Sequence, residues 1–582
     1  DGRRATGDGR RATGDGRRAT GDGRRATGDG RRATVLLAAR SAVALYRLLD
    51  TLPALSGDDR ITRLFTLMPG SDFGVDVLSV IEDVGGRLVP WSEACSRSYD
   101  LVLAASPKGD LHLLRGRHVL LPHGAGYNKS IPGEGSDSAS GLDPAFLLRD
   151  GGVAAPVALH AVAHPDQVAR LAAVDRRAAD RAKVVGDPTL ERVLASRPLR
   201  ERYRAALGTG ARRLVVLVST WGPESLLRRH PDLPVRLAAR LPQDEYQLAL
   251  VVHPNEHSLL GTYELAERLA PALDAGMVLA SPHEEWASLL IAADALVTDH
   301  GSAALYYCAA EDRPAVSVYQ DGIELIPGSP MHALLRRIPR LGSAESLEED
   351  LRAYRPGTGQ EVARAAFAHQ GRALSLLRTE LYALLGLTPP ALAGPPRVLP
   401  PPGPADRAPA AFDVDVDADV NGKSLRIARR PVGIGSPGHH LTAEYGAASE
   451  ALVRSAGLLY RRPLPLSDTR SGQSWTSDGW TRHVLSAYPG CRSAAAILSS
   501  GLVLFRTRGH AEAYAVQAEP RYEGGRVTRV DPAAAASAVH AWFLRRSPAA
   551  PVAPSRLSCV IGNRAFALVL RPATGAEAAE PF

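Results

Sequence analysis

The sequence predicts an α/β protein of two Rossmann-like domains, followed by a small C-terminal α+β domain. Three observations carry that expectation. Two apolar runs, one in each half of the 582 residues, lead straight into a histidine–glycine turn: VLLPHGAGYNK at 119–129 and ALVTDHGSAALYYCA at 295–309. Short β-rich runs alternate with helical patterns through residues 35–386. A proline-rich stretch then separates that region from a tail with different patterning. Ligands of open α/β sheets lie at the carboxyl ends of strands, so the two turns are expected to face one cleft.

Residues 1–34 repeat the heptapeptide DGRRATG and hold ten Arg and five Asp. With two glycines in every seven residues and no apolar face, the repeat is expected to be disordered. A perfect repeat without an initiating Met reads as translated repetitive DNA ahead of the true start; a polybasic arm is the alternative. It carries five of the seven net positive charges, which leaves +2 on the remaining 548 residues. A body so nearly neutral has no basic stripe for a phosphate backbone, and a nucleic-acid partner is excluded on that ground.

Globular patterning begins at Val35, and residues 35–195 are expected to form the first, acceptor-binding domain. VLLAARSAVALYRLL (35–49) has helical periodicity, RITRLFTLMPG (60–70) reads as a strand, and DFGVDVLSVIEDVGG (72–86) as a helix stopped by glycine. RLVPW, DLVLAAS (100–106) and HVLLPHG are short strands. Residues 130–152, rich in Gly, Ser, Asp and Pro, read as a mobile loop. The charged helical pattern at 183–210 bridges the halves.

Residues 196–386 are expected to form the nucleotide-donor domain, with a second strand and helix alternation running through 211–222, 246–257, 275–302 and 314–321 and a closing helical segment at 361–386. The nine prolines of 387–412 make an extended, semi-rigid linker. In the tail, 413–582, FDVDVDADVNGKSLRIARR reads as a hairpin around Asn421-Gly422 and SCVIGNRAFALVLR as another, with helical patterns at 442–458 and 532–545. A calcium loop from Asp417 fails because its twelfth position is Ala428, and a P-loop ending at Ser424 fails because Asp417 stands where glycine is required. Asp413, Asp415, Asp417 and Asp419 therefore read as a solvated face.

Cys95, Cys308, Cys491 and Cys559 form no CxxC or Cys/His spacing, and reduced, buried thiols are expected rather than zinc or disulfides. No apolar run of 18 residues or secretion leader is evident, so a cytoplasmic protein with at most peripheral membrane contact is expected.

Chemistry-bearing residues gather at strand ends. His123 follows an apolar strand and precedes Gly124, Gly126, Asn128 and Lys129, a setting for proton removal from an attacking hydroxyl. In the second half Ser219, Thr220 and Trp221 end one strand, and His253-Pro254 ends another. Asp299, His300, Gly301 and Ser302 end a third and open the helix AALYYCAA, whose first amides suit phosphate. Asp299 can accept from a ligand hydroxyl or hold the loop.

HVLLPHGAGYNK followed by STWG, VVHP and LLIAADALVTDHGSAALYYCA resembles the CDP-glycerol glycerophosphotransferases of teichoic-acid synthesis, a family of two-Rossmann GT-B architecture. The resemblance covers about residues 35–386 and implies that His123 is the base and His253 a second active-site histidine near the donor phosphates. It also places Asp299 and Ser302 at donor-binding positions. Pro122 stands where the family has Trp, and His300-Gly301 replaces Tyr-Ser. The Asp-x-Gly-Ser turn is also similar to UDP-N-acetylglucosamine 2-epimerases, another GT-B family.

The expected function is transfer of glycerophosphate or a related group from a CDP-activated donor to an acceptor hydroxyl on a small molecule, polymer or lipid. His123 acts as base; Ser219, Thr220, Trp221, Asp299, Gly301 and Ser302 hold the donor; Gly124, Asn128 and Lys129 form the acceptor loop. No cofactor and no metal are expected. The alternatives are a UDP-sugar glycosyltransferase or epimerase-like enzyme, and a catalytically silent module that binds a nucleotide or partner.

Overall fold

The computed structural model describes residues 30–70, 77–131, 136–139, 142, 157–419, 424–463, 473–546 and 552–582. Most of the heptapeptide repeat and most of the expected loop at 130–152 lie outside the described residues. The last repeat unit does not stop short of the fold: Ala33 and Thr34 begin the first strand, and Arg31 pairs with Asp100 at 2.8 Å.

Six parallel strands form the first sheet: β1 (Ala33–Ala39), β2 (Ile61–Leu67), β3 (Ser98–Ala104), β4 (Arg115–Leu120), β5 (Leu159–Val162) and β6 (Ala182–Val184), in the order β2-β1-β3-β4-β5-β6. Residues 35–49 are not one helix. Val35 to Ala39 are buried in β1, and Ser41 then caps helix α1 (Ala42–Leu49) by accepting from the Ala44 amide at 3.3 Å. A continuous apolar run satisfies both periodicities, and burial on both faces of a parallel sheet decides for strand. The glycine-stopped helix is α2 (Val77–Asp83), as expected.

The second sheet holds β7 (Arg213–Ser219), β8 (Tyr246–Val252), β9 (Val278–Leu279), β10 (Ala295–Thr298) and β11 (Ala315–Ser317), all parallel, in the order β9-β8-β7-β10-β11. Helix α3 (Pro188–Ser196) bridges the halves: Leu190 and Val193 pack in the second core, while Arg192 reaches Asp50 at 3.2 Å. In the second unit α4 (Pro254–Asp274), α5 (Glu285–Ala292) and α6 (Ala303–Ala310) follow β8, β9 and β10. The closing helix α7 (Ala373–Leu385) returns to the first half. Its Leu374, Leu377, Leu381 and Leu385 pack against Val35, Leu37 and Leu103, so the second domain does not run through to 386. An apolar stripe announces a helix but not which core receives it.

Residues 387–410 lack regular secondary structure yet lie against the body. Tyr203 donates to the Leu399 carbonyl at 2.8 Å and Arg192 to that of Arg397 at 3.1 Å.

The tail is not the expected α+β domain but a closed barrel of nine strands wrapped around one helix, α8 (Pro532–Leu544). Ala533 through Phe543 are all buried, which small side chains on every face of the helix permit. Both expected hairpins form, Ala411–Ala418 with Ser424–Pro431 and Ser555–Ile561 with Arg564–Pro572. The Asn421-Gly422 turn lies outside the described residues. Residues 442–458 hold the end of one strand and a short helix, Glu450–Ser455. Asp413 is buried and Asp415 pairs with Arg430, so the solvated face shrinks to Asp417 and Asp419.

The barrel docks on the second unit at the amino ends of its strands, away from the strand ends that carry the histidine–glycine turns. Arg429, 2% exposed, pairs with Asp244 at 2.6 Å and with Asp531 at 2.9 Å. A Cβ on Gly562 would fall 2.3 Å from the Asp244 carbonyl oxygen, so only glycine allows that approach. Cys308, Cys491 and Cys559 are buried, Cys95 is half-buried, and all four are free thiols. No helix among the described residues is long and apolar enough to cross a membrane.

Candidate functional site

A cavity of about 560 Å³ lies between the two sheets, lined from the carboxyl ends of β1, β4, β7, β8, β9 and β10. Its position is the one a doubly wound sheet leaves for ligands, because strand ends and helix starts there expose backbone polar groups. Helices α1, α4, α5 and α6 all begin at its wall, and Arg40, Arg47, Lys108, Lys129 and Arg192 line it against only Asp50 and Glu284. Arg47, Lys129 and Arg192 hold carboxylate partners and Ser41 and His253 cap α1 and α4, so the first turn of α6 is the part of the wall best suited to an anionic ligand.

His123 and His253 both line this cavity, from opposite halves. Burial first, then the Arg47 and Lys108 cations, lower the His123 pKa to about 4 against the opposing pull of the nearby Ala105 carbonyl. A neutral imidazole donating to a carbonyl keeps its other nitrogen as a lone pair, the form a general base needs. His253 caps α4: its Nδ1 accepts from the Asn255 amide at 3.1 Å, which puts the proton on Nε2. Burial, with His123 and Lys129 nearby, holds His253 far below the ordinary histidine value, so it faces the cavity wall as a neutral donor.

The expected acceptor loop is tied across the cleft. A Cβ on Gly124 would lie 3.2 Å from Ser302 Oγ, so turns from the two halves touch. Asn128 accepts from the Met331 amide at 3.0 Å and donates to the Ala125 carbonyl at 2.7 Å. Lys129 lies 4.5 Å over the Trp221 ring, donates to the Trp221 carbonyl and pairs with Glu324 at 3.1 Å.

Of the expected donor residues, Thr220, Trp221 and Ser302 line the cavity. Asp299 does not: it is fully buried, and its carboxylate accepts from the amides of Thr220, Leu226 and Gly301 at 2.8, 2.8 and 2.9 Å. It is the loop-holding role that the structure gives this residue. Gly301 lines the cavity but spends its amide on Asp299, which leaves Ser302 and Ala303 at the first turn of α6. Ser219 also lines it, with its hydroxyl accepting from the Leu227 amide at 3.1 Å.

Glu224, His300 and Glu324 present ligand atoms within 4.8 Å of one another. Each carboxylate already holds donors: Glu224 accepts from Tyr319 at 2.5 Å and the Ile323 amide at 2.7 Å, and Glu324 from His300 at 2.8 Å. With the Lys129 ammonium beside them, they form a hydrogen-bond network in which His300 Nδ1 is buried without a partner.

Several cavity residues escaped the sequence reading. Tyr46 stacks on His283 at 5.2 Å across the halves, and His283 holds φ at 91°. That left-handed backbone costs a non-glycine residue about 1–3 kcal/mol and marks a tightly determined site. Arg47, Asp187 and Tyr306 form a buried triad behind His123. The lone Arg in the apolar stripe AVALYRLL was its one visible signal; Tyr306 had none.

No family model matches the chain, and no curated protein does. Among solved structures, the wall teichoic acid polymerase TagF is 13% identical over 61% of this chain and 89% of its own, with a TM-score of 0.42. MnaA of S. aureus, solved with UDP, is 9% identical over 62% and 99%, at 0.39. The Neisseria meningitidis UDP-GlcNAc 2-epimerase bound to UDP-GlcNAc is 11% identical over 60% and 100%, at 0.38.

Proposed function

We propose that this chain is a GT-B-type transferase that moves a glycerophosphate or related group from a nucleotide-activated donor to an acceptor hydroxyl. One observation carries the reading: His123 with a free lone pair and His253 with a free Nε2–H line a single cation-rich cavity between two parallel-sheet units. The donor's phosphates lie against the first turns of α4 and α6. His123 takes the acceptor proton, the acceptor oxygen bonds to the donor's distal phosphorus, and the bond from that phosphorus to the nucleotide breaks. The nucleotide monophosphate leaves with the charge, which His253 and the amides of Ser302 and Ala303 stabilise. A bound diphosphate raises the pKa of His123 from its unliganded value toward the working range, because an anion favours the imidazolium.

The donor base is left to experiment between cytidine and uridine. Calorimetric titration with CDP-glycerol, CDP and UDP-sugars, followed by turnover assays of native protein and His123→Ala, tests the reading. Binding of one donor, with turnover lost in the variant and affinity kept, is the expected result. The Asp299 carboxylate, the Gly301 amide and the Ser219 hydroxyl are spent inside the protein, which favours a second reading as a silent nucleotide-binding module. Binding without turnover selects that reading; no binding of any nucleotide removes both.

A further inference from the structure

We infer that Arg47 is the positioning residue of this site: its guanidinium grips the two carbonyls flanking His123 and, through Asp187 and Tyr306, fixes that turn against α6 across the cleft. The inference rests on His123 being the base. Arg47 is 5% exposed, and all five of its N–H groups are spent. Nε donates to the Pro122 carbonyl at 3.1 Å and Nη2 to that of Gly124 at 3.4 Å. The remaining donors take both Asp187 oxygens at 2.7 Å and the Tyr306 hydroxyl at 3.2 Å.

Tyr306 returns its own proton to Asp187 at 3.0 Å and belongs to α6, whose first turn lines the cavity. Asp187 in turn caps α3 by accepting from the Leu190 amide at 2.8 Å. One planar cation therefore links the His123 turn, the bridging helix and the helix at which donor charge is expected. A buried ion pair serving stability alone needs no donors aimed at the peptides on either side of a base, and a lysine could not supply them. His123 is also surrounded by Lys108, Arg40 and, from the second half, His253, so removing Arg47 takes away one of several cations.

The test uses Arg47→Met/Asp187→Asn, which removes both charges while Asn keeps the helix cap, and Arg47→Lys, which keeps the charge without the fork. Replacing both members of a buried pair is often close to neutral for folding. Three quantities are read: melting temperature, the NMR titration of His123, and kcat with KM. In the double variant His123 titrates closer to the ordinary histidine value, and kcat falls about 100-fold with donor KM within a few-fold. In Arg47→Lys the His123 titration stays low while kcat still falls. A folded double variant whose His123 titration and kcat match the native protein overturns the inference. If the native chain turns over no donor, the proposed reaction fails, and the amide NMR resonances of His123 and Gly124 in Arg47→Lys decide the role of Arg47: unchanged resonances overturn it.

Discussion

His123 at the end of β4 and His253 at the end of β8 line one cavity from opposite halves of the chain, and each lowers the tendency of the cavity to hold a second proton. Their hydrogen bonds separate their roles, since the Ala105 carbonyl leaves His123 a lone pair and the Asn255 amide leaves His253 an N–H.

That division predicts different kinetic losses. His123→Ala lowers kcat by about 10²–10⁴-fold with little change in donor affinity, the usual range for a general base. His253→Ala removes the proposed donor to the phosphates together with the α4 cap, so donor affinity is expected to fall as well. Parallel initial-rate and calorimetric measurements distinguish the two; equal effects on both quantities in both variants contradict the assignment.

Lys129 holds the halves together through Trp221 and Glu324. Lys129→Met leaves the nearly buried Glu324 carboxylate with His300 as its remaining side-chain donor and costs about 1–3 kcal/mol. Urea unfolding should show the loss as a lower midpoint, and an unchanged midpoint would show that the strap carries no load.

Three buried histidines outside the cavity lining set an acid limit. Burial lowers His160 and His440 to about 4 and holds His540 well below its ordinary value, against an unfolded value of about 6.5. In that window the unfolded chain binds more protons, so stability is full above about pH 6.5 and falls as pH drops toward 4. Each histidine contributes a slope of up to about 1.4 kcal/mol per pH unit. His440→Phe should flatten the dependence of the urea midpoint on pH; a slope equal to native would exclude His440 as a contributor.

The barrel contact turns on Gly562, whose φ of 55° and closeness to the Asp244 carbonyl leave no room for a Cβ. Gly562→Ala should cost about 1–3 kcal/mol of docking and split the calorimetric transition in two. One unsplit transition at the native temperature would mean that this turn does not fix the barrel.

How much of this was legible in the sequence follows from the range of the interactions involved. The parallel strands and their histidine–glycine turns were visible because burial on both sheet faces writes continuous apolar runs, and such runs end where ligands bind. The barrel hairpins were visible through turn chemistry at Asn421-Gly422 and Gly562-Asn563. The enclosure of α8 was not, since PAAAASAVHAWFL lacks the polar face that would mark an exposed side, and nothing local says that strands surround it. Asp299 was placed at the right turn, but whether its carboxylate meets a ligand or three backbone amides depends on Leu226, far away in sequence. Tyr46, Arg47 and His283 join the site through contacts between halves, which no local pattern records.

The most direct test of the nucleotide cavity follows the Cε1–H resonances of His123 and His253 while CDP and UDP are titrated into the full-length protein. The account predicts that one nucleotide perturbs both resonances at a common saturation point and raises the His123 pKa from about 4. Saturating additions that leave both imidazoles unperturbed would contradict it.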